Sequence, residues 1–225
     1  QRAQARPTRL SHARALAWFV VLAVSLATSA HAQLRLDITQ GVRDALPIAV
    51  VPFGGQAEGG PNDVAAVIAG DLQLSGRFKP LERRDLVARP TRGEQVRFED
   101  WRLLKSDFLV IGHVVPEASG LAVEFELFNV QTGQQLLTKR LVTSERGLRA
   151  TAHRIADLIF ERLTGIPGAF STRIAYVAVD GRPPKQRYRL MVADADGYGP
   201  RIVTESSEPI MSPAWSPDGQ SLAYV

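Results

Sequence analysis

The sequence has no cysteine among its 225 residues. A disulfide framework, a catalytic thiolate and a cysteine-ligated zinc site are therefore excluded. Two catalytic motifs are absent as well, since neither a Gly-x-Ser-x-Gly nucleophile elbow nor a Gly-Lys-Ser/Thr phosphate loop occurs. Hydrophobic residues make up 45% of the chain, which is enough for an ordinary packed core. The sequence thus predicts a stable fold without catalytic residues and without a cofactor.

The N-terminal segment has the pattern of a secretory signal peptide. Arg9 and Arg14 precede an apolar run over residues 15–27, and Ala30-His31-Ala32 supplies a small-x-small cleavage site. This run is too short to cross a hydrocarbon core of about 30 Å as a helix, which disfavours a membrane anchor. We therefore predict cleavage before Gln33, export across the inner membrane and no membrane insertion of the mature protein.

Removal of this leader also removes the excess of positive charge. The leader contains four arginines and no acidic residue, so the remaining chain has 23 basic and 23 acidic residues. A nucleic-acid-binding protein should carry a basic excess or a basic stripe. The balanced charge of the mature chain disfavours a nucleic-acid partner.

Residues 33–165 alternate between the two-residue period of strands and the 3.6-residue period of helices, which predicts a mixed α/β domain. Leu34–Thr39 alternates as a half-exposed strand, and the continuous apolar run Pro47–Phe53 indicates an interior strand. Asn62 is the expected N-cap of a helix that ends near Gly76. A further helix is expected at Phe98–Lys105, and strands are expected at Asp107–Val115, Leu121–Val130 and Gln135–Thr143. The last helix is expected to end at Gly165 and to have its start capped by Ser144-Glu145. Its apolar stripe consists of Leu148, Ala152, Ile155, Ile159, Phe160 and Leu163.

The C-terminal part of the chain contains an internal repeat. Ile174-Ala175-Tyr176-Val177 returns as Leu222-Ala223-Tyr224-Val225, with an offset of 48 residues between the tyrosines. This period suits a four-stranded β-propeller blade, and Ser216-Pro217-Asp218-Gly219 is a favourable turn before the second copy. We therefore expect a leader over 1–32, the α/β domain over 33–165, a hinge-like linker over 166–172, and over 173–225 the first blade and the start of the second, so that the propeller is truncated.

The remaining candidate residues have ordinary structural interpretations. Gly54–Gly60 lies between a strand and a helix, but its only charge is Glu58, so phosphate binding is not expected. Asp194–Tyr198 is interpreted as a hairpin turn rather than a calcium loop, because the other EF-hand ligand positions are absent. His113 is expected in a strand and His153 on the polar side of the last helix, and neither has a ligand-spaced partner. No metal site is predicted, and Trp101, Trp215 and Tyr224 are expected to be packing aromatics.

Three stretches of the sequence resemble the TolB family of the periplasmic Tol-Pal system. These are the junction Leu163–Val177, the tripeptide Asp196-Gly197-Tyr198 and the turn region Met211–Gly219. The resemblance covers Gln33–Val225, and the junction with the first blade is its most specific part, since Ser-Pro-Asp-Gly turns occur in many propellers. It implies an α/β domain similar in fold to an anticodon-binding domain, followed by a six-bladed propeller.

The family resemblance also implies partners. Its members are non-enzymatic proteins that couple TolA of the inner-membrane complex to Pal at the outer membrane, and other outer-membrane proteins are further candidates. Most of the propeller that binds Pal is expected to lie outside this sequence. The short terminal strand is followed by Gln40-Gly41, a sequence that can hinge, and the resemblance implies that this strand is the switch that binds TolA. Its residues are Gln33, Leu34, Arg35, Leu36, Asp37, Ile38 and Thr39. An ordinary edge strand is the alternative that remains open.

Two other functions remain open at this stage. Prolyl-oligopeptidase-type serine peptidases also contain Ser-Pro-Asp-Gly propeller repeats, and their hydrolase domain would follow Val225. The α/β domain placed before the propeller lacks an elbow serine, which disfavours this class. A generic periplasmic propeller that binds a solute or polysaccharide is the third possibility.

Overall fold

The computed structural model describes residues 45–118 and 120–225. Its first sheet is formed by β1 (Leu46–Val50), β2 (Phe78–Pro80), β3 (Phe108–Glu117), β4 (Gly120–Asn129) and β5 (Gln135–Thr143). Their spatial order is β2-β1-β3-β4-β5. β1 runs parallel to both of its neighbours, whereas β3, β4 and β5 are joined as antiparallel pairs. The predicted mixed sheet is therefore confirmed, and so are the strands predicted at Asp107–Val115 and Leu121–Val130, which pair antiparallel as β3 and β4.

Three α-helices of the described residues cover this sheet: α1 (Val64–Leu74), α2 (Phe98–Leu103) and α3 (Leu148–Thr164). Alternating strand residues face opposite layers, because successive side chains of a strand point to opposite faces. Ile48 and Val50 pack with α1 and α3, while Ala49 and Val51 pack with Trp101 of α2. The interior position predicted for Pro47–Phe53 is confirmed, although β1 ends at Val50 because Pro52 has no amide hydrogen to continue the ladder.

The N-cap of α1 is Asp63, so the prediction of Asn62 is wrong by one residue. Asp63 is buried and accepts a 3.0 Å hydrogen bond from the Ala66 amide, whereas Asn62 is exposed. Both residue types are good caps, and they are adjacent in the sequence. The loop decides between them, because Asp63 also accepts from the Gly59 amide at 2.7 Å and from the Arg83 guanidinium at 2.7 Å.

The ends of α3 follow the predicted signals with one difference. Gly165 adopts a left-handed conformation with φ 73° and closes the helix through a hydrogen bond to the Glu161 carbonyl, as predicted. Ser144 caps a preceding three-ten turn, Glu145–Gly147, by accepting from the Gly147 amide. The serine therefore stabilises the approach to α3 rather than its own first turn.

The repeat region forms two small sheets in the described chain. β6 (Arg173–Asp180), β7 (Arg187–Asp194) and β8 (Arg201–Ser206) make an antiparallel sheet of three strands, where the repeat period predicted a blade of four. β9 (Ala214–Trp215) pairs separately with β10 (Leu222–Ala223) around the predicted Ser-Pro-Asp-Gly turn. The predicted hairpin turn at Asp194–Tyr198 is also present, between β7 and β8.

The aromatic residues differ in how far they are buried. Trp101 is fully buried, as predicted, and Trp215 is half-buried beneath the Arg173 guanidinium at 4.8 Å. Tyr224 is 48% exposed among the described residues, and its packing role stays a prediction. In the part of the chain that the structure covers, no helix is both long and apolar enough to span a membrane.

Candidate functional site

The residues predicted from sequence to bind a partner or to be processed lie outside the described residues. They are the strand Gln33–Thr39 and the cleavage residues Ala30 and Ala32, all of which precede residue 45. Their roles stay predictions. The functional geometry that the structure does describe lies at the contact between α1, α3 and the turn that joins β7 to β8.

His153 of α3 is buried in this contact, with 3% of its side chain exposed. Its Nδ1 atom lies 2.7 Å from Oδ2 of Asp71, which is 2% exposed and belongs to α1. The prediction that His153 lies on the polar side of the helix is wrong, because α1 packs against that side of α3. Its partner Asp71 lies 82 positions away in the sequence, which agrees with the prediction that no ligand-spaced partner is nearby.

The other side of the His153 ring faces the β7–β8 turn. Its Nε2 atom lies 4.0 Å from Oδ2 of Asp194 and 4.0 Å from Oδ2 of Asp196, and it has no hydrogen-bond partner among the described residues. Arg149, one helical turn before His153, forms an ion pair with Asp196 and places Nε 3.6 Å from Oδ2 of Asp194. We call Asp71, Arg149, His153, Asp194 and Asp196 the joint cluster.

Two more contacts fix Arg149 in the joint cluster. Its guanidinium lies 3.9 Å from the centre of the Tyr198 ring, in cation–π geometry, and it donates to the Pro61 carbonyl at 3.0 Å. The arginine thus connects α3 with the loop before α1 and with the β7–β8 turn. A turn interpreted from sequence as an ordinary hairpin is therefore also a contact between the two sheet regions.

The protonation of the joint cluster follows from its burial and its charges. Burial by itself lowers the pKa of His153, but the hydrogen bond that the ring donates to Asp71 and the charges of Asp71 and Asp196 outweigh it and raise the pKa above its usual value. Burial is the main cause that raises the pKa of Asp71, against the opposing effect of His153. Both directions favour a bound proton shared within this pair.

Among the described residues, one group has side-chain atoms close enough to hold a metal ion. It consists of Asp71, His153 and Asp196, whose possible ligand atoms all lie within 4.8 Å of one another. The Arg149 guanidinium, however, already contacts the same Asp196 oxygen that would have to bind an ion. A cation at this point would lie next to a fixed positive charge, which opposes its binding. The chemistry of the cluster suits a proton better than a metal ion.

The loop between β1 and α1 lines a separate cleft of about 590 Å³. The charged side chains among its described lining residues are those of Asp63 and Glu145, both acidic. Asp63 is paired with Arg83, and the absence of a phosphate site at this glycine-rich loop stays a prediction. Gln56 contributes a side-chain amide that is buried and has no partner among the described atoms.

His113 has the strand position predicted for it, in β3. Its Nε2 atom lies 3.1 Å from Oε2 of Glu124 on β4, and Nδ1 lies 3.3 Å from the Thr91 carbonyl oxygen. Glu124 in turn accepts from Arg140 at 2.9 Å. These contacts form a cross-strand ladder of polar side chains, so His113 has the structural role expected of it.

The joint cluster was missed by sequence reasoning, although one signal for it existed. Asp71 follows Val64 and Val67 at helical spacing, which places a carboxylate on the apolar stripe of α1. A charged residue on such a stripe requires a buried partner. The sequence gives no indication that the partner is His153, because only the packing of α1 on α3 brings them together.

Comparison with known families identifies both parts of the chain. The family model described as the TolB amino-terminal domain matches residues 34–136, and that of the TolB beta propeller domain matches residues 160–225. These matches support an α/β domain followed by the start of a β-propeller. They also agree with the mixed sheet, with its helices, and with the three-stranded sheet that follows.

Individual relatives agree with the family models. The Tol-Pal system protein TolB of Thioalkalivibrio sulfidiphilus is 46% identical over 89% of this chain and 47% of its own length. That of Methylococcus capsulatus is 44% identical over 96% of this chain and 51% of its own length. The crystal structure of TolB from Acinetobacter baumannii is 37% identical, with a TM-score of 0.71 over 81% of this chain and 44% of that one.

The chain spans about half the length of the curated relatives it matches. Their shared name is that of a Tol-Pal system component and not of an enzyme, in agreement with the non-enzymatic prediction. The matches favour the Tol-Pal interpretation over the peptidase and the generic propeller, and the chain belongs to the TolB family of Tol-Pal system proteins.

Proposed function

We propose that this protein is a non-enzymatic periplasmic component of the Tol-Pal system that couples TolA of the inner-membrane complex to Pal at the outer membrane. The observation that carries the proposal is 46% identity to a Tol-Pal protein over 89% of the chain. In this role the protein supports outer-membrane integrity and constriction of the envelope during cell division. Pal binding is proposed for the complete propeller, of which the β6–β8 sheet contributes a blade.

We propose that the domain organisation is that expected from the sequence. The leader covers 1–32, the α/β domain 33–165, the linker 166–172 and the propeller region 173–225. Cleavage after Ala32 is supported by the apolar run and the small residues that follow it. N-terminal sequencing of the protein from a periplasmic fraction tests this step, and retention in the membrane with residues 15–27 intact would overturn it.

The TolA contact is proposed for Gln33–Thr39. The sequence offers three apolar side chains that could hold this strand, those of Leu34, Leu36 and Ile38, and each would contribute about 1.5–3 kcal/mol if fully buried, before the ordering entropy is subtracted. Docking of the strand is therefore close to balance. A partner that pairs with the released strand by β-augmentation shifts this balance toward the bound state.

Titration calorimetry with purified TolA tests the contact. Deleting Gln33–Thr39 should abolish TolA binding and leave the melting temperature nearly unchanged, because the strand contributes little net stability. A matched pair compares the apolar and polar faces: Leu34→Ala with Leu36→Ala should weaken the contact, and Arg35→Ala with Asp37→Ala should weaken it less. Undiminished affinity of the deletion variant would place the TolA site elsewhere.

A second measurement separates the two partners. Pal binding is measured with a protein that carries the whole propeller, with and without Gln33–Thr39. Loss of TolA binding with retained Pal binding supports two distinct contacts. If the complete protein bound neither TolA nor Pal, the coupling function itself would be refuted.

A further inference from the structure

His153 meets carboxylates on both sides of its ring, and these carboxylates come from different parts of the fold. Asp71 of α1 lies at the Nδ1 side, at 2.7 Å. Asp194 and Asp196 of the β7–β8 turn lie at the Nε2 side, each at 4.0 Å. The ring is thus placed between the helical layer and the first blade.

The two ring nitrogens decide which protonation state fits this position. A neutral imidazole has one N–H and one lone pair. If the hydrogen is on Nδ1, the Nε2 lone pair faces two carboxylate oxygens. If it is on Nε2, the Nδ1 lone pair faces Asp71. Only the imidazolium ion presents an N–H to each side.

The charge balance of the joint cluster leads to the same result. With a neutral His153, the three carboxylates of Asp71, Asp194 and Asp196 are opposed by the single guanidinium of Arg149. A proton on His153 reduces this excess of negative charge beside the buried Asp71, while Asp194 and Asp196 stay partly exposed to water. The proton does so while Arg149 keeps its contacts with the Asp194 and Asp196 carboxylates, which the His153 ring also faces.

We propose that His153 is a proton-operated latch, whose imidazolium form holds the β7–β8 turn against α1 and α3 and whose neutral form releases that turn. The closing movement is short, since about 1 Å brings Nε2 within hydrogen-bond distance of either turn carboxylate. The facing groups are Asp71 on α1, Arg149 on α3, and Asp194 and Asp196 at the turn, with the Tyr198 ring on Arg149. The latch does not depend on the proposed Tol-Pal role.

The direction of the pH effect follows from the raised pKa of His153. A group whose pKa is higher in the folded than in the unfolded state stabilises the folded contact fully below its unfolded pKa, near 6.5. That contribution disappears as the pH rises through the folded pKa. The turn should therefore be held at pH 6 and loosened at pH 9.

Two measurements on the full chain test the latch. The His153 ring resonance, identified as the one missing in His153→Gln, should titrate in NMR above pH 6.5. Hydrogen exchange of the peptide covering residues 194–199, corrected for the intrinsic rate, should be more strongly protected at pH 6 than at pH 9, because the imidazolium form holds the turn. His153→Gln should abolish this pH dependence, and the matched control His113→Gln on β3 should retain it.

A variant at the turn keeps the test decisive if His153→Gln does not fold. Asp196→Asn removes one facing charge at the surface, so it should lower the midpoint of His153 and reduce the pH-dependent protection. A His153 midpoint below 6.5, or protection that does not follow its titration, would overturn the latch. Stoichiometric Zn²⁺ binding that is lost in His153→Gln would overturn it in favour of a metal site.

Discussion

Asp157 of α3 accepts a 2.7 Å hydrogen bond from the backbone amide of Phe170, thirteen residues further along the chain. The same carboxylate accepts from the amide of Ser171 at 3.1 Å and from its hydroxyl. The Phe170 ring packs edge-on against Phe160, with 5.6 Å between ring centres. The second half of the segment proposed as a hinge-like linker is therefore fixed to α3.

Replacing Asp157 with alanine should release this segment. The loss of hydrogen bonds to a charged acceptor should cost about 1–3 kcal/mol of unfolding free energy. Limited proteolysis should then cut within residues 166–172 faster than in the parent chain. Glu161→Ala, at an exposed position one turn further along α3, is the control and should leave cleavage unchanged. Equal cleavage of all three chains would show that the carboxylate does not hold the segment.

The elements predicted well from sequence are those whose periodicity is local. β5 was predicted with its exact bounds, and Gly165 closes α3 as expected because an αL residue at that point favours glycine. The error at Asn62 arose because two good capping residues are adjacent, and contacts with Gly59 and Arg83 favour the second one. The sheet β6–β8 has three described strands where the repeat period predicted four, and β9 pairs with β10 in a separate sheet.

The joint cluster could not be predicted for a different reason. The position of Asp71 on the apolar stripe of α1 indicates a buried partner, but no local pattern identifies His153 as that partner, and the two meet only because α1 packs along α3. The turn residues Asp194 and Asp196 have favourable turn chemistry, and this local explanation conceals their second role as partners of Arg149. When a side chain has both a local role, such as forming a turn, and a long-range contact, sequence patterns indicate only the local role.

Two glycines should respond to alanine in opposite directions. A Cβ atom on Gly112 in β3 would lie 2.4 Å from the Phe53 ring and 2.5 Å from the Glu124 carbonyl oxygen. Gly112→Ala should therefore destabilise the fold by about 1–3 kcal/mol through overpacking. A Cβ atom on Gly70 in α1 meets no described atom within 4 Å, so Gly70→Ala should stabilise by about 0.5–1 kcal/mol. Urea unfolding curves measure both changes, and a stabilising Gly112→Ala would contradict the packing at β3.

Trp101, which packs with Ala49 and Val51, should contribute more to the unfolding free energy than Trp215 of the propeller region. Trp101 is fully buried between α2 and the sheet, so Trp101→Ala should cost about 3–5 kcal/mol. Trp215 is half-buried under Arg173, and Trp215→Ala should cost clearly less. Equilibrium unfolding followed by far-ultraviolet circular dichroism compares them. A larger loss for Trp215→Ala would mean that β9 is packed more firmly than its exposure indicates.

The capping role of Asp63 should be visible at neutral pH. Its carboxylate satisfies the amides of Gly59 and Ala66 and pairs with Arg83, so Asp63→Ala should cost about 1–2 kcal/mol or more. Asn62→Ala, one residue earlier and exposed, is the matched control and should have almost no effect. Thermal unfolding of the two variants decides between them, and the reverse ranking would restore Asn62 as the cap.

The charge of Asp63 should also make the fold sensitive to acid. Burial alone would raise the pKa of this carboxyl, but the amide hydrogen bonds and Arg83 outweigh burial and hold the pKa below its usual value near 3.8. A depressed pKa contributes stability that is complete above the unfolded value and is lost as the pH falls through the folded one. The unfolding free energy should therefore decrease as the pH is lowered below about 4. Asp63→Asn keeps a hydrogen-bond acceptor but cannot titrate, so its unfolding free energy should decrease less over the same pH range. The control is Asp85→Asn, at an exposed carboxylate in the three-ten turn Arg83–Asp85, and it should leave the dependence of the unfolding free energy on pH as in the parent chain. If Asp63→Asn and the parent chain lost stability in parallel below pH 4, the acid sensitivity would have to arise from other carboxylates.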